Sequence, residues 1–480
     1  MNRVSRAAAL VALALLLLAP PPTAAQEHAH PAPSDSAAAP DSTAAPYSAA
    51  VPDSNAMMPM AMTPMAMPLG PLGVPRTREG SGTAWLPDAT PMHALHGQSG
   101  AWELMLHGAL YVHYLDDGGD RGREQFGATN WIMGMARRPV GAGELMLRAM
   151  LSADPVTATE CGYPDLLATG EFCEDEPLHD RQHPHDVFME LAGVYERALS
   201  EDVALQLYGG PVGEPALGPV AFPHRISSFP NPIAPIGHHW LDSTHIAFGV
   251  ATAGIYGKKW KTEASLFNGR EPDAERYNID LDALDSYAGR IWLLPSDRWA
   301  LQVSAGRLVE AEVHEIGGPP IDVTRVTTSA TYHRPLADEG NWASTIAWGR
   351  NREGSEATQA LLAETNLNLA ERDIFYGRLE FAEKTGGDLV LPEELEEQSF
   401  TVGKLGLGYV RQLAPLAGLV PGLGAGITVS RVPDDLEPFY GSRSPVGLQL
   451  FFRLRPAPMS MEGHAMPMEE HAMPMEEQGY

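Results

Sequence analysis

Hydrophobic and polar residues alternate along most of the chain between about residues 101 and 455. In the first such run, WELMLHGALYVHYL, the even-numbered positions from Trp102 to Tyr114 are mostly apolar. A period of two is typical of a β-strand, because successive side chains point to opposite faces. One apolar and one mixed face indicates a strand with lipid on one side and water on the other. The face predicted to meet the water-filled lumen carries Met105, His107, Tyr111 and His113.

The same alternation recurs and predicts an all-β fold, a transmembrane antiparallel up-and-down β-barrel of about sixteen strands. Sixteen strands would leave a lumen wide enough for water. The strands are expected near residues 102–115, 125–137, 143–153, 186–197, 202–210, 244–256, 260–268, 285–294, 298–309, 323–333, 342–350, 358–368, 374–384, 398–411, 423–431 and 446–455.

The connections between these strands alternate in length. The stretches at 154–185 and 211–243 are long, whereas RPVGA, ALSED and GKKW are short. Long loops on one rim and tight turns on the other are typical of an outer-membrane barrel. A soluble all-β fold remains the alternative, although it has no reason to sort its loops in this way.

The ends of the chain differ from this middle region. Residues 1–25 have a positive start, a short apolar run and small residues before a cleavage point, which predicts a signal peptide and export to the outer membrane. Residues 26–98 are rich in Pro, Ala, Ser and Met and are predicted to be a disordered periplasmic segment. The barrel is expected over 99–456, and 457–480 forms a second disordered periplasmic tail, rich in Met and His.

Charge and cysteine content narrow the possible partners and sites. The formal net charge is -28, which argues against a nucleic-acid partner because a phosphate backbone requires a basic surface. There are only two cysteines, Cys161 and Cys173, within one predicted long loop. In an exported chain they are expected to form a disulfide, with a metal-binding thiol pair as the alternative.

Two histidine-bearing segments precede strands that start from the long-loop rim. LHDRQHPHD contains His183 and His185, and PNPIAPIGHHWLDSTHI contains His238 and His239. Imidazoles beside carboxylates suit a borderline divalent ion such as zinc or copper(II). The alternative is a structural loop whose polar groups plug the lumen. A metal-dependent hydrolase in the lumen, with its ion on His183, His185 and His238, is a further alternative, but no catalytic residue is expected.

Methionine clusters occupy both predicted tails. Thioethers are soft ligands that select copper(I) or silver over harder cations, and two of them at Met-x-Met spacing can reach one ion. Low-complexity sequence without function is the alternative. The candidate ligands are Met57, Met58, Met60, Met62, Met65 and Met67 in the leading segment, and Met459, Met461, His464, Met466, Met468, His471, Met473 and Met475 in the trailing one.

The signal peptide, the Met- and His-rich tails and the all-β body resemble the outer-membrane copper-resistance proteins of Gram-negative bacteria. Those are barrels with Met-rich extensions that are thought to keep copper out of the periplasm. The DRQHPHD and GHHWLDSTHI segments also look like those of uncharacterised outer-membrane proteins associated with metal resistance. The resemblance to the copper-resistance proteins rests on composition and architecture, and the trailing tail departs from it.

The sequence therefore predicts an outer-membrane barrel that takes part in binding, efflux or resistance of copper or another soft metal ion. A copper ion is the expected cofactor. The expected partners are outer-membrane lipid and a periplasmic metal carrier or efflux component. The first alternative is a general porin-like channel, or surface protein, with structural His-rich loops, and the second is the lumenal hydrolase.

Overall fold

A computed structural model describes residues 69–174, 176–313 and 318–458. Nineteen strands are numbered here in chain order. They are β1 (Leu95–Ser99), β2 (Trp102–Asp116), β3 (Glu124–Val140), β4 (Gly143–Leu151), β5 (Tyr163–Cys173), β6 (Glu176–Gln182), β7 (Phe188–Ala198), β8 (Ala204–Gly213), β9 (Ala247–Tyr256), β10 (Trp260–Phe267), β11 (Ser286–Ser296), β12 (Trp299–Glu312), β13 (Ile321–Pro335), β14 (Asn341–Glu353), β15 (Glu356–Leu369), β16 (Asp373–Thr385), β17 (Ser399–Gln412), β18 (Leu419–Arg431) and β19 (Val446–Pro456).

The helices in the described part of the chain are all short. They are α1 (Asp154–Thr157), α2 (His238–Leu241) and α3 (Glu437–Tyr440), with 3-10 turns at Pro71–Gly73, Arg76–Arg78, Phe222–His224, Ser243–His245, Glu393–Leu395 and Asp434–Leu436. Among the described residues, no helix has the length and apolar character needed to span a bilayer.

Sixteen of the strands, β2–β4 and β7–β19, pair in sequence as an antiparallel ring that closes where β19 pairs with β2. This confirms the predicted barrel, and each of the sixteen predicted strands corresponds to one strand of the wall. The alternating loop lengths are also confirmed, with tight connections such as Gly141–Ala142 on the rim where β2 begins and β19 ends. We call this rim the short-turn rim and the opposite one the long-loop rim. The exception to the alternation is the two-residue turn Gly354–Ser355 between β14 and β15, which lies on the long-loop rim.

The closing seam is shared between two strands. β19 pairs with residues 110–116 of β2, whereas β1 turns back and pairs with residues 102–106. Residues 107–109 of β2 therefore lie between the ends of the two ladders on this side, and on the other side they pair with β3. On this side the ladder of β2 is therefore interrupted between its two partners.

The outer and inner faces of the wall have opposite character. Large apolar side chains point outward, including Ile346 and Leu266, which are 59% and 55% exposed. The rings of Trp299, Tyr332 and Trp342 contact one another at the short-turn rim, in the position of an interfacial aromatic girdle. An apolar outer wall is stable only in lipid, so the barrel is a transmembrane one. Charged side chains point inward and are buried, namely Lys261, Arg290, Arg325, Arg378, Lys384, Lys404, Arg453 and Arg455.

Three segments fill the lumen. We call them the N-terminal insert (residues 69–94), the hairpin insert (residues 152–187, with β5 and β6) and the central insert (residues 214–246). β1 and the β5–β6 pair are strands that the alternation pattern does not reveal. The hairpin insert carries the Cys161–Cys173 disulfide, which confirms the predicted bond.

The N-terminal insert differs from expectation, because residues 69–98 were predicted to belong to a disordered segment. The Arg76 guanidinium contacts Glu144 and Glu196 of the wall, and Trp85 packs against Tyr256 in a cluster of buried apolar residues. These paired charges and buried rings order residues that composition alone assigns to a tail. The rest of that segment, residues 26–68, lies outside the described residues, as do the predicted signal peptide at 1–25 and all but the first two residues of the tail predicted at 457–480.

Candidate functional site

The central insert crosses the lumen and is bonded to several parts of the wall. The Nε atom of Arg225 donates to Glu364 of β15 at 2.8 Å, and an Nη atom of Arg378 in β16 donates to the backbone oxygen of Ile233 at 2.9 Å. The hydroxyl of Ser304 in β12 accepts from the backbone N–H of Gly218 at 2.9 Å. Eight strands around the ring from β12, the Tyr111 hydroxyl of β2 donates to the backbone oxygen of Phe229. Such bonds to distant strands hold the insert across the barrel.

The hairpin insert is fixed in the long-loop half of the lumen. Lys404 of β17 contacts the buried carboxylate of Asp165, and Lys384 of β16 donates to the Thr169 hydroxyl at 2.7 Å. An ion pair of 2.6 Å joins Arg121 to Asp180. The insert therefore satisfies lysines that would otherwise face the lumen unpaired, which carries a large desolvation cost.

These two inserts bring together five histidines, which we call the histidine cluster. The His183 ring centroid lies 6.1 Å from that of His238 and 5.9 Å from that of His239. His245 lies 5.2 Å from His238 and 5.5 Å from His185, measured between the same points. The four histidines predicted from the sequence thus meet in space, and His245 joins them.

Carboxylates orient three of the imidazoles. The Nδ1 atoms of His185, His238 and His239 are hydrogen-bonded to Asp154, Asp242 and Glu271 at 2.8, 2.9 and 3.0 Å. A carboxylate on one ring nitrogen fixes the tautomer and leaves the other nitrogen available as an acceptor, as in many metal sites.

The imidazoles of the cluster have pKa values that are shifted in opposite directions. Burial lowers the pKa of His183 well below its ordinary value, and it lowers the pKa of His245 to about 3. Burial also acts on His239, but the Glu271 carboxylate outweighs it and raises the pKa of that ring. Neutral imidazoles and one that readily takes up a proton therefore lie side by side.

The cluster does not surround a common point. Among the described residues, no three His, Cys, Asp or Glu side chains are placed to hold one metal ion. His183 contacts His238 and His239, whereas His185 contacts His245 and Phe222. The lumenal hydrolase alternative requires His183, His185 and His238 on one ion, and the described geometry does not provide that arrangement.

A cavity of about 570 Å³ lies next to the cluster, at the long-loop side, and His239 lines both. We call it the acidic vestibule, because nine carboxylates line it and no Lys or Arg stands among its described lining residues. Burial raises the pKa of one of them, Glu171, although the Arg276 guanidinium opposes this effect. The nine are Glu171, Glu271, Glu312, Glu353, Glu356, Asp388, Glu393, Glu396 and Glu397.

Sequence reasoning found part of this site. His183, His185, His238 and His239 lie where the argument placed them, near the long-loop rim, but the orienting partner Glu271 and the vestibule were missed. The acidic run EELEE, which supplies Glu393, Glu396 and Glu397, was a usable signal for the vestibule. Fourteen further predicted ligands lie outside the described residues: Met57, Met58, Met60, Met62, Met65, Met67, Met459, Met461, His464, Met466, Met468, His471, Met473 and Met475.

No protein-family model matches the chain, and no curated protein matches it either. Similar solved structures include Salmonella typhi OmpF in complex with daunomycin, at 8% identity and a TM-score of 0.46 over 75% of this chain and 100% of that one. An anion-selective porin from Comamonas acidovorans is 12% identical, with a TM-score of 0.44 over 74% of this chain and 99% of that one. The outer-membrane channel DcaP of Acinetobacter baumannii is 9% identical, with a TM-score of 0.39 over 75% of this chain and 100% of that one. Similarity of this degree carries no information on what the chain binds or conducts.

Proposed function

We propose that this chain is a porin-like channel of the outer membrane, closed at rest by its own inserts, and that it admits cations. The acidic vestibule is the observation that carries this proposal. Glu171 is paired with Arg276, but carboxylates predominate in the vestibule, and the exposed Glu393, Glu396 and Glu397 contribute to a negative potential at the long-loop mouth. Rings of carboxylates select cations in channels because they replace part of the hydration of the ion and repel anions.

The inserts supply the closed state. The central insert is bonded to β12 and to β2, which is eight strands away around the ring of sixteen, so that it spans the lumen instead of lining one wall. Conduction therefore requires the insert to shift, and the channel is expected to open in discrete steps.

The test is the reversal potential of the full-length protein in a planar bilayer under a salt gradient. We expect a cation preference that falls towards zero when Glu393, Glu396 and Glu397 are all changed to Gln. Three other exposed carboxylates, Glu103, Glu160 and Glu201, serve as the matched control because they do not line the vestibule. Anion preference in the unsubstituted protein, or the same shift in both triple variants, would contradict the proposal.

A second candidate function, handling of copper or a similar soft metal ion, is favoured by the histidine cluster directly behind the vestibule. In this proposal the Met-rich tails capture copper(I) in the periplasm, and they dock a periplasmic carrier or efflux component. Copper tolerance of cells that carry the chain without residues 26–68 and 459–480 tests it. Unchanged tolerance, with normal amounts of folded barrel, would count against a copper role for the tails.

A further inference from the structure

A second, smaller cavity lies deeper in the lumen, in the half near the short-turn rim. Its volume is about 90 Å³, enough for an ion with one or two waters. We call it the methionine chamber. The side chains that matter here are Met92, His93, Met105, His107, Met135 and His224. They come from the N-terminal insert, from β2 and β3 and from the central insert, so the chamber exists only when the inserts are in place.

The distances within the chamber suit soft-metal ligation. The Nε2 atom of His224, which lines the chamber, lies 3.4 Å from the Sδ atom of Met150, which is buried beside the chamber without lining it. The ring centroids of His107 and His224 are 5.6 Å apart. Taking the bond lengths typical of zinc as a guide, a nitrogen and a sulfur on one ion stand about 3.5 Å apart. Two imidazoles on the same ion place their ring centroids roughly 5 to 6 Å apart. His224 is therefore close to the spacing that one shared ion requires, both from Met150 and from His107.

One candidate ligand atom is left without a partner in the described part of the chain. The Nε2 atom of His107 is buried and has no hydrogen-bond partner among the described residues. A buried polar atom without a partner carries a desolvation cost that is normally avoided.

The charge around the chamber favours a monovalent ion. Two arginines line it, but both are paired: Arg148 lies 3.1 Å from Glu190, and Arg76 lies 2.7 Å from Glu79. The ligands themselves are neutral imidazoles and a thioether. A divalent ion would bring two charges into a buried space without compensation, which is costly, whereas soft monovalent ions prefer thioethers and imidazoles.

We propose that His107, His224 and Met150 form a binding site for a soft monovalent cation of the copper(I) or silver(I) type inside the barrel. Met105 and Met135 line the same chamber and offer further thioethers. The site deepens the second function proposed above and does not depend on the Met-rich tails. The vestibule experiment involves none of these residues, so a failure here leaves cation selectivity untouched.

The test uses the full-length protein with ¹⁵N-labelled histidine, refolded in detergent with increasing silver(I), a redox-inert probe. The ring signals of His107 and His224 are assigned by comparison with His107→Gln and His224→Gln. We expect both rings to shift together on silver(I) binding, separately from the tail signals of His464 and His471. In Met150→Leu, which conserves volume, we expect the silver(I) affinity reported by His224 to fall at least tenfold.

Met189→Leu is the matched control, because Met189 is equally buried but, unlike Met150, makes no hydrogen bond to His224 among the described residues. A heated and unheated gel comparison confirms that each variant is a folded barrel. The proposal is overturned if the rings of His107 and His224 do not respond at silver(I) concentrations that saturate the tails. It is also overturned if Met150→Leu and Met189→Leu bind silver(I) as the unsubstituted protein does.

Discussion

Arg225 and Glu364 form a buried ion pair in which the Nε atom of Arg225 donates to the carboxylate at 2.8 Å, and each side chain is 1% exposed. Glu364 also accepts from Arg378 at 3.2 Å, so one carboxylate neutralises two arginines from different parts of the molecule. This carboxylate joins the central insert to the wall, and the first prediction concerns its loss.

In Glu364→Gln, the buried guanidinium of Arg378 loses the carboxylate it is paired with, and that of Arg225 keeps only Asp242, at 2.6 Å. Breaking a buried pair in this way costs about 3–5 kcal/mol, and most of this loss weakens the docking of the central insert to the wall. We expect longer and more frequent openings in single-channel recordings, with the barrel itself still folded. Glu383→Gln, a glutamate bonded to Gln359 in an exposed position, is the control and is expected to gate normally. Equal gating in both variants would show that the insert is held by other contacts.

The second prediction concerns the protonation of the histidine cluster. Because Glu271 raises the pKa of His239 against the effect of burial, this ring should titrate above its ordinary value near 6.5, while His245 stays neutral down to about 3. The pair His239–Glu271 thus stabilises the fold fully below pH 6.5, and this contribution is lost as the pH rises through the raised pKa of His239.

Histidine ring signals followed by NMR across this pH range measure both values. In Glu271→Gln the raising charge is gone, so burial dominates and the pKa of His239 should fall below 6.5. A His239 pKa that is the same in both proteins would refute the electrostatic explanation.

The third prediction concerns the disulfide of the hairpin insert. Cys161 and Cys173 are 12 positions apart, and closing a loop of this size contributes about 3 kcal/mol to the order of the segment. In Cys161→Ser with Cys173→Ser, we expect proteolysis within residues 161–182 to accelerate by roughly a hundredfold. The wall should keep its mobility on an unheated gel, since no strand of the ring lies in this segment. Loss of the folded barrel would mean that the insert is needed to assemble the wall.

The fourth prediction concerns the N-terminal insert. Trp85 is 4% exposed, packs edge-on against Tyr256 and lies under the Arg78 guanidinium, which is 4.6 Å from the ring centroid. Trp85→Ala should weaken docking of the insert by about 3–5 kcal/mol. Labelling of Ser81→Cys, at a position that is 5% exposed, by a water-soluble maleimide then becomes fast.

Trp102→Ala is the control for the insert, because Trp102 lies on the outside of the wall beneath Arg138. It should leave the labelling of Ser81→Cys slow. Fast labelling of Ser81→Cys in the protein that keeps both Trp85 and Trp102 would show that the N-terminal insert leaves the lumen readily.

The wall of the barrel could be predicted because apolar and polar residues alternate along each of its strands. Lipid outside and water inside impose a period of two on every strand, and the run from Trp102 to Tyr114 already separates the two faces. The inserts were not predictable in the same way. Residues 69–94 and 214–246 are rich in Pro and Gly and bury polar groups against the wall, so their order depends on partners far away in sequence, such as Glu144 and Glu364.

The histidine cluster could be predicted from the sequence only in part. Position at the long-loop rim was enough to predict that His183 and His238 lie near each other. Which carboxylate orients which ring could not be predicted, because Glu271 comes from a loop with no histidine of its own. The methionine chamber shows the same limit: His107 could be assigned to the lumen from its strand, but His224 reaches both His107 and Met150 of β4 only through the path of the central insert.

The interrupted ladder at the seam has a consequence for how the barrel wall moves. Residues 107–109 lie between the ends of the β1 and β19 pairings, so their peptide groups can tilt on that side without unzipping either neighbour. His107 belongs to this short stretch. A small backbone rotation there would move the imidazole of His107 towards or away from His224 without opening the barrel wall. Amide hydrogen exchange at these three positions should therefore slow when a bound ion holds this imidazole in place.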